Sequence, residues 1–322
     1  MAVLQKRIIE STADLSDEEI NQIIDGGYRH DMDKQMLLAL LFLSPSTRTR
    51  LSCARSAIDL GMNYVLLGAE DLRLSDTENE EDTGLALSQY ADLIGVRYVG
   101  KPGEVFGAAN TRFRNIASGS KVPIINLECD MYHPCQGLAD LKTIREQFPD
   151  FENRRIIISW AYSPSAMRVQ AIPNELLLLL SRFMKNITLV HPPEFSLDEA
   201  IISLSRYQSQ RIDGTIEVLH DLEMAPEDAD IIYPRNWATR FVATHGAEQE
   251  KALHDKYAAW KFDEHRMDMM GASAHYMHCL PVHRGYEASN TVIDGKRSLI
   301  KHQMRNRVDV QKALIHVLIG RA

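Results

Sequence analysis

Short apolar runs alternate with longer amphipathic stretches along this chain, and that alternation limits its fold more than any other feature. The run MLLALLFLS at 36–44 is typical of a buried strand, and the stretch 51–61 has apolar residues at helical spacing before a terminal glycine. NYVLLG at 63–68 returns to a strand pattern, and the same order recurs over residues 85–148. Parallel strands need a crossover connection, which is usually a helix. The alternation therefore predicts a parallel sheet covered by helices.

A charged segment, PDFENRR at 149–155, interrupts this alternation, which then restarts. Strand patterns follow in RRIIISW, NITLVHP, ADIIYP and SAHYMHCL, and the chain closes with the helical pattern RVDVQKALIHVLIG. A chain of 322 residues is too long for one ordinary hydrophobic core. We therefore predict two α/β domains with parallel sheets, one over residues 1–150 and one over residues 151–301.

The composition argues against two classes of partner. A formal net charge of −8 is unfavourable for a nucleic-acid binder, which needs a basic surface to neutralise phosphates. Apolar runs such as those at 36–43 and 176–180 are far shorter than a membrane span, and MAVLQKRIIE lacks the apolar core of a signal peptide. The four cysteines form no CxxC pair, which favours a reducing compartment. We expect a soluble cytoplasmic protein that binds neither nucleic acid nor membrane.

The segment SPSTRTR at 44–50 stands before the predicted helix and concentrates groups that bind anions. A helix N-terminus presents unpaired N–H groups and the positive end of the helix dipole. A cap needs only one hydroxyl, whereas this turn also carries two arginines, which suit bidentate binding of phosphate. An ordinary capped helix with surface arginines is the alternative, and a nucleotide-binding P-loop is disfavoured because no GxxxxGK[ST] precedes the helix. The donors are Ser46, Thr47, Arg48, Thr49 and Arg50.

Two further predictions concern the local structure of residues 76–84 and 51–60. The acidic run DTENEEDTG at 76–84 is predicted to be a mobile, solvated loop. The helical spacing predicts an inward-facing stripe made of Leu51, Ala54, Ala57, Ile58 and Leu60.

Two further motifs place polar side chains at predicted strand ends. His133 precedes a proline, and a helix then begins near Gln136, so an imidazole and an amide lie where open α/β sheets bind ligands. A neutral imidazole there can donate to a carbonyl oxygen, and a purely structural His-Pro turn is the alternative. Cys279 also ends a strand, with a buried inert thiol as the alternative. A metal is disfavoured, because alternation places His275 and His278 on opposite strand faces.

Taken in order, STRTR, HPCQGLADLKTI and HCLPVHRG resemble the motifs of the aspartate/ornithine carbamoyltransferase family. The resemblance spans most of the chain. It implies two parallel-sheet α/β domains, one for carbamoyl phosphate and one for the amino acid. It also implies a homotrimer with active sites shared between subunits, and a C-terminal helix within 302–322 that packs back on the first domain.

The resemblance also implies a role for each matching residue. Donors aimed at the carbamoyl oxygen would stabilise the tetrahedral state while phosphate departs, and neither a metal nor an organic cofactor is implied. The four that would be catalytic are Arg97, His133, Cys279 and Arg307. The full implied carbamoyl-phosphate set is Ser46, Thr47, Arg48, Thr49, Arg97, His133, Gln136, Cys279, Leu280 and Arg307.

The segments expected to bind the acceptor differ from those of ordinary ornithine carbamoyltransferases, which carry an Asp-containing SMG segment that has no match in this sequence. YPRNW at 233–237 and the segment 159–174 resemble the knotted branch of the family, which includes N-acetylornithine and N-succinylornithine carbamoyltransferases. Arginine stands at 235 where that branch usually has lysine, and HRG replaces its RRN, so the acceptor is not fixed. The implied acceptor-binding residues are Glu128, Arg235, Asn236, Trp237 and Arg284.

These observations predict an enzyme of amino-acid metabolism, specifically of arginine metabolism. It would move the carbamoyl group of carbamoyl phosphate to an amino group of a modified ornithine or another small amine and release phosphate. The alternatives are transfer to free ornithine and a non-catalytic relative that only binds carbamoyl phosphate. A dinucleotide-dependent oxidoreductase is disfavoured, because no GxGxxG follows a predicted strand.

Overall fold

The computed structural model describes residues 6–26, 35–74, 77–101, 103–165 and 168–319. The chain divides into two compact units. Unit 1 consists of Met1–Gly100, Gly107–Lys142 and Met304–Ala322, and unit 2 of Lys101–Phe106 and Thr143–Gln303. The predicted domain boundary at residue 150 thus falls a short way inside unit 2.

Unit 1 is built on a five-stranded sheet whose neighbouring strands all run parallel. Its strands are β1 (Ile8–Ile9), β2 (Leu37–Phe42), β3 (Asn63–Gly68), β4 (Leu93–Arg97) and β5 (Ile124–Glu128), in the spatial order β1-β5-β4-β2-β3. Its first helices are α1 (Asp17–Asp25), α2 (Arg48–Asp59), α3 (Glu80–Leu87), α4 (Ala108–Gly119) and α5 (Pro134–Gln147), of which α5 belongs to unit 2 from Thr143. Strand residues such as Leu41 and Ile94 pack against Phe113 and Ile116 of α4 to form its core.

Unit 2 repeats this architecture with a second five-stranded parallel sheet. Its strands are β6 (Arg155–Trp160), β7 (Asn186–Val190), β8 (Thr215–Leu219), β9 (Ile231–Arg235) and β10 (His275–Tyr276), in the order β10-β9-β6-β7-β8. Its helices are α6 (Ala171–Leu180), α7 (Glu199–Gln210), α8 (Val242–Lys256), α9 (Glu264–Met270) and α10 (Asn290–Asp294). The last helix, α11 (Ile300–Ile319), begins in unit 2 and belongs to unit 1 from Met304. The prediction of two parallel-sheet α/β domains is confirmed.

The prediction that Leu51 and Ile58 of α2 face inward is wrong. Their side chains are 66% and 56% exposed, whereas the other three predicted positions are buried. The buried face of α2 also includes Cys53 and Ser56, and the Ser56 hydroxyl donates to the Val308 carbonyl of α11 at 3.2 Å. Small side chains let the two helices approach closely, so a hydrophobic pattern alone misplaced the buried face.

The prediction of a mobile loop at 76–84 is wrong from residue 80 onward, because α3 begins there; residue 76 lies outside the described residues. The Asn79 side chain accepts from the N–H of Asp82 at 2.7 Å, and three acidic residues occupy the first turn, where negative charge is favourable. Gly84 then meets α4 so closely that a Cβ would lie 1.9 Å from the Ile116 carbonyl oxygen. The segment is held by a cap and by close helix packing.

The predicted knot within 159–174 and the predicted homotrimer stay predictions, and residues 166 and 167 lie outside the described part of the chain. In that described part, no helix has the length and apolar character needed to cross a lipid bilayer.

Candidate functional site

Three adjacent strand ends in unit 1 lead to most of the predicted carbamoyl-phosphate residues, and Cys279 and Leu280 belong to unit 2. Phe42 of β2, Arg97 of β4 and Glu128 of β5 are partners in the strand register, and each ends its strand. Because the strands are parallel, the chain segments that follow them share the carboxyl edge, where open α/β sheets bind ligands. Sequence-distant polar residues therefore converge there.

The segment after β2 delivers the start of α2 to this edge. Thr47 occupies the N-cap position of α2 but its side chain makes no capping hydrogen bond, and the first turn carries no acidic residue. The guanidinium of Arg50 lies over the Phe42 ring, 5.0 Å from its centroid. Thr47 therefore does not cap α2 through its side chain, and the helix start keeps the electropositive character that attracts anions.

Arg97 is held by the strand ends on both sides of it. One of its terminal nitrogens donates to Oε2 of Glu128, and the other lies 3.3 Å from the Pro45 carbonyl oxygen. Nε2 of His133 lies 3.4 Å from the same Glu128 oxygen, and the His133 side chain is buried. The structure therefore brings Arg97 and His133 together with Glu128. The family resemblance assigned Arg97 and His133 to carbamoyl phosphate and Glu128 to the acceptor.

Arg307 of α11 links the starts of two other helices. Its Nη1 donates to Oε1 of Gln136 at 2.7 Å, and its Nη2 donates to the Thr49 hydroxyl at 3.0 Å. Gln136 in turn donates to Asp140 at 2.7 Å, and all four side chains are buried. This chain of contacts fixes an arginine beside the start of α2, far along the sequence from the residues that it joins.

The loop that presents His133 is shaped by two residues that sequence reasoning missed. The Cys129 sulfur accepts from the N–H groups of Met131 and Tyr132 at 3.4 and 3.3 Å, and burial raises the pKa of this thiol. The Asp130 carboxylate accepts from the Gly107 N–H at 2.7 Å at the start of α4. In the sequence these two residues are a polar pair directly after a predicted strand. Such pairs are too common for the pattern alone to indicate a role.

In unit 2, the segment that carries Cys279 and Leu280 turns sharply after β10. Leu280 has a φ of +59°, and its N–H donates to Nδ1 of His278 at 2.9 Å. The next carbonyl, that of Pro281, accepts from Nη1 of Arg235 at 2.9 Å. Cys279 is buried at this turn, and its part in binding carbamoyl phosphate stays a prediction.

The remaining residues predicted to bind the acceptor have different surroundings. Asn236 and Trp237 are completely enclosed within unit 2, where the Trp237 indole donates to the Phe195 carbonyl at 2.8 Å. Arg284 forms a pair of hydrogen bonds with Asp294 at the surface, at 2.7 and 2.8 Å. The side chains of Asn236 and Trp237 thus serve the core of unit 2, and their role toward an acceptor stays a prediction.

His278 and Glu287 form a buried pair with complementary protonation. Burial lowers the pKa of His278 to about 4, partly offset by its hydrogen bond with Glu287. Burial alone would raise the pKa of Glu287, but the bond from His278 and the charges of Arg235 and Arg168 hold it well below its usual range. A neutral imidazole that accepts the Leu280 N–H at Nδ1 donates from Nε2 to an ionised Glu287, 3.2 Å away.

Among the described residues, no group of three His, Cys, Asp or Glu side chains is arranged to hold a metal ion. The site consists instead of hydroxyl, amide, imidazole and guanidinium groups around a helix N-terminus. Groups of these types can donate hydrogen bonds to a small anion or to a polarised carbonyl oxygen.

Two family models match the chain. Residues 5–146 match the model described as aspartate/ornithine carbamoyltransferase, carbamoyl-P binding domain, and residues 169–318 match the Asp/Orn binding domain of the same family. An N-acetylornithine carbamoyltransferase from Xylella fastidiosa is 31% identical over 297 residues, which cover 87% of each chain. An ornithine carbamoyltransferase from Methanothermobacter thermautotrophicus is 30% identical, covering 92% of this chain and 91% of that one.

Solved structures agree with these matches. A variant of N-acetyl-L-ornithine transcarbamylase, complexed with carbamyl phosphate and N-succinyl-L-norvaline, superposes with a TM-score of 0.89 and 28% identity. The alignment covers 98% of this chain and 100% of that one. An acetylornithine transcarbamylase complexed with acetylcitrulline gives a TM-score of 0.88 at 27% identity over the same shares.

Proposed function

This chain belongs to the aspartate/ornithine carbamoyltransferase family, as its motifs predicted, and we propose that its acceptor is a modified ornithine. It is a carbamoyltransferase that uses carbamoyl phosphate and an ornithine-type acceptor. The proposal adds the identity of the acceptor and the role of each residue. One observation supports the roles: Arg307 joins Thr49 at the start of α2 to Gln136 at the start of α5, in the same unit as Arg97 and His133.

In the proposed mechanism the start of α2 binds the phosphate group. The N–H groups of its first turn and the hydroxyls of Ser46 and Thr47 donate to the phosphate oxygens, and Arg48 supplies a full positive charge. Thr47 suits this role because its hydroxyl caps no N–H group of α2. The same donors stabilise phosphate as it leaves with the electrons of the broken C–O bond.

The carbamoyl oxygen is assigned to Thr49, Arg307 and His133. The acceptor's uncharged amine attacks the carbonyl carbon, a C–N bond forms, and negative charge develops on that oxygen. The carbonyl re-forms as the C–O bond to phosphate breaks, and the departing phosphate takes the proton that the amine nitrogen loses. Thr49 and Arg307 are already joined by a hydrogen bond of 3.0 Å, so both are fixed before the reaction. Preorganised donors of this kind contribute about 3–4 kcal/mol each to transition-state stabilisation.

The remaining groups position the acceptor. Gln136 is assigned to the carbamoyl amide, and Glu128 to the acceptor's nitrogen, where a carboxylate attracts an amine and accepts its N–H. Arg97 orients Glu128 through their ion pair. Arg235 is assigned to the acceptor's carboxylate, because a guanidinium binds a carboxylate in a bidentate manner.

Three features support a modified ornithine over free ornithine. The chain lacks the SMG segment of ordinary ornithine enzymes, it carries YPRNW, and it superposes closely on N-acetyl-L-ornithine transcarbamylase. Free ornithine stays the second candidate, because the ornithine carbamoyltransferase from Methanothermobacter thermautotrophicus is 30% identical over most of this chain.

An acceptor screen tests the proposal directly. With carbamoyl phosphate fixed, N-acetylornithine, N-succinylornithine and ornithine are compared by release of phosphate and formation of a ureido product. We expect an N-acyl-ornithine to give the highest kcat/KM, and a clear preference for ornithine would refute the finer proposal. A bisubstrate mimic that joins a phosphonate to an acetamide should raise the Tm, and Arg48→Ala should remove that shift.

A further inference from the structure

Glu287 is a completely buried carboxylate of unit 2, and its contacts come from three loops. Its Oε2 accepts from the Asn236 N–H at 3.1 Å and lies 3.2 Å from Nε2 of His278. Its Oε1 accepts from the His283 N–H at 2.9 Å and lies 3.6 Å from Nη2 of Arg168. These loops follow β6, β9 and β10, which are parallel neighbours, so Glu287 ties together the carboxyl edge of the unit 2 sheet.

The turn at Leu280 depends on this carboxylate through His278. A leucine disfavours the left-handed region in which Leu280 lies, with φ at +59°, so neighbouring groups must impose that conformation. The His278 ring does so by accepting the Leu280 N–H at Nδ1, 2.9 Å away. Its opposite nitrogen faces Glu287, which therefore fixes both the tautomer and the ring orientation.

Two arginines meet at the next carbonyl of the same turn. The Pro281 oxygen accepts from Nη1 of Arg168 at 2.6 Å and from Nη1 of Arg235 at 2.9 Å. Glu287 lies beside the second terminal nitrogen of Arg168, and it anchors the backbone directly after Arg235 through the Asn236 N–H. The positions of both guanidinium groups are therefore tied to one buried carboxylate.

We propose that Glu287 is a positioning residue for acceptor recognition, which orients Arg168, Arg235 and the 279–281 turn without touching substrate. Arg168 joins Arg235 as a second guanidinium that receives the carboxylate of the acceptor. This inference rests on the proposed function, since it names further residues of the same acceptor site. An amine that bears a carboxylate is then favoured as acceptor over an amine that lacks one.

Glu250 provides a matched control within the same unit. Its carboxylate is also completely buried, and it accepts from the N–H and the hydroxyl of Thr239, both at 2.7 Å. His245 and His254 lie 2.6 and 3.2 Å from it. None of these contacts involves the 278–287 segment. Glu250 is therefore as buried as Glu287 but does not contact the residues that hold the 279–281 turn.

The test compares Glu287→Gln with Glu250→Gln in the full chain, using the best acceptor of the screen. We expect Glu287→Gln to lower kcat/KM for the acceptor by about 10- to 100-fold, mainly through KM, since small misplacements of binding groups have effects of this size. The affinity for carbamoyl phosphate should change less than about twofold, because its assigned contacts lie mainly in unit 1. Glu250→Gln should keep kcat/KM within about threefold of wild type.

Hydrogen exchange gives a readout that does not depend on turnover. Peptides that contain 278–287 should exchange faster in Glu287→Gln and at the wild-type rate in Glu250→Gln, because only the first variant loosens the His283 and Leu280 amides. If Glu287→Gln does not accumulate as folded protein, Glu287→Asp keeps the charge, shortens the reach, and should raise the acceptor KM in the same way.

Equal losses of acceptor kcat/KM in the Glu287 and Glu250 variants, or no loss in either, would overturn the positioning role. Unchanged exchange in 278–287 of Glu287→Gln would also overturn it. A wild-type chain that carbamoylates no acceptor would instead refute the proposed function, and the exchange comparison would still decide whether Glu287 holds the turn.

Discussion

The carboxyl edges of the two parallel sheets differ in the charged groups that the surrounding chain holds in place. In unit 1, Arg97 and Arg307 lie beside the electropositive start of α2, and Arg307 is anchored by neutral groups. In unit 2, the carboxylates Glu250 and Glu287 are completely buried, and each accepts several hydrogen bonds. We propose that the first edge receives the phosphate and that the buried carboxylates of the second hold the loops of unit 2. Substituting an anion-binding residue of the first edge should therefore lower turnover with little loss of stability, whereas losing a buried carboxylate of the second should loosen the loops that it holds.

The largest effect is expected from Arg307→Ala in unit 1. Loss of a fixed donor to the carbamoyl oxygen should lower kcat by about 100- to 1,000-fold, measured with saturating carbamoyl phosphate. Arg305→Ala, on the exposed face of the same helix, is the control and should keep near-wild-type kcat. A loss of less than tenfold in Arg307→Ala would remove it from the assigned role.

Gly84→Ala tests whether unit 1 owes its stability to close backbone packing. A Cβ at this position would lie 1.9 Å from the Ile116 carbonyl oxygen, so α3 must move away from α4. Overpacking of this kind costs about 1–3 kcal/mol in the free energy of unfolding, measured in urea. The neighbouring Leu85→Ala, at a 42% exposed side chain, should cost much less. Equal effects of the two variants would contradict the close contact between α3 and α4.

Acid should weaken unit 2 through its buried histidines. Burial lowers the pKa values of His191 and His278 to about 4, so below pH 6.5 the unfolded chain binds protons that the folded chain does not. The free energy of unfolding should therefore fall as the pH drops from 6.5 to 4, by roughly 1–2 kcal/mol per histidine at pH 5. The lowered pKa of Glu287 adds a further loss at lower pH, as its carboxylate becomes protonated.

Urea unfolding at pH 7.5 and pH 5.0 measures this dependence, and hydrogen exchange locates it. His191→Gln, which removes one titrating group, should reduce the difference between the two pH values. An unchanged difference, or faster exchange at pH 5.0 in unit 1 alone, would contradict the assignment to unit 2.

The smallest expected effect is on the stability of Thr47→Ala. The Thr47 side chain makes no capping hydrogen bond, so the variant should keep the wild-type Tm within about 1 °C while its KM for carbamoyl phosphate rises. Asp263→Ala in unit 2 is the comparison, because the Asp263 side chain accepts from the Arg266 N–H at 3.0 Å and caps α9. Loss of that cap should cost about 1 kcal/mol. A destabilised Thr47→Ala would show that its hydroxyl is structural.

Local chemistry made part of the site predictable from the sequence. The donors at 44–50 and His133 stand directly beside predicted strands and helices, and the carboxyl edge of a parallel sheet then places them together. The Arg307 contacts with Thr49 and Gln136 have no local signal, because the three residues meet only when α11 packs on unit 1. The family resemblance assigned Arg307 to carbamoyl phosphate, and the structure then showed which side chains it contacts.

Both wrong predictions relied on local composition, which specific contacts overrode. Leu51 and Ile58 were placed inward because they are large and apolar, yet the close contact between α2 and α11 requires small side chains such as Ser56. The acidic run at 76–84 was predicted to be mobile because of its charge, yet Asn79 caps it as a helix. A neighbour distant in sequence decides which face of α2 is buried, whereas a local cap and the contact of Gly84 with α4 hold the acidic segment.

The sequence by itself determined the alternation of strands and helices, the two α/β domains and the donor-rich helix start, because each depends on residues that are close along the chain. The tertiary structure alone decided which helix faces are buried, how Arg307 reaches Thr49, and why the buried Glu287 carries a charge. These depend on packing and on the electrostatics of enclosed groups, where the free energy of a side chain is set by its neighbours in space.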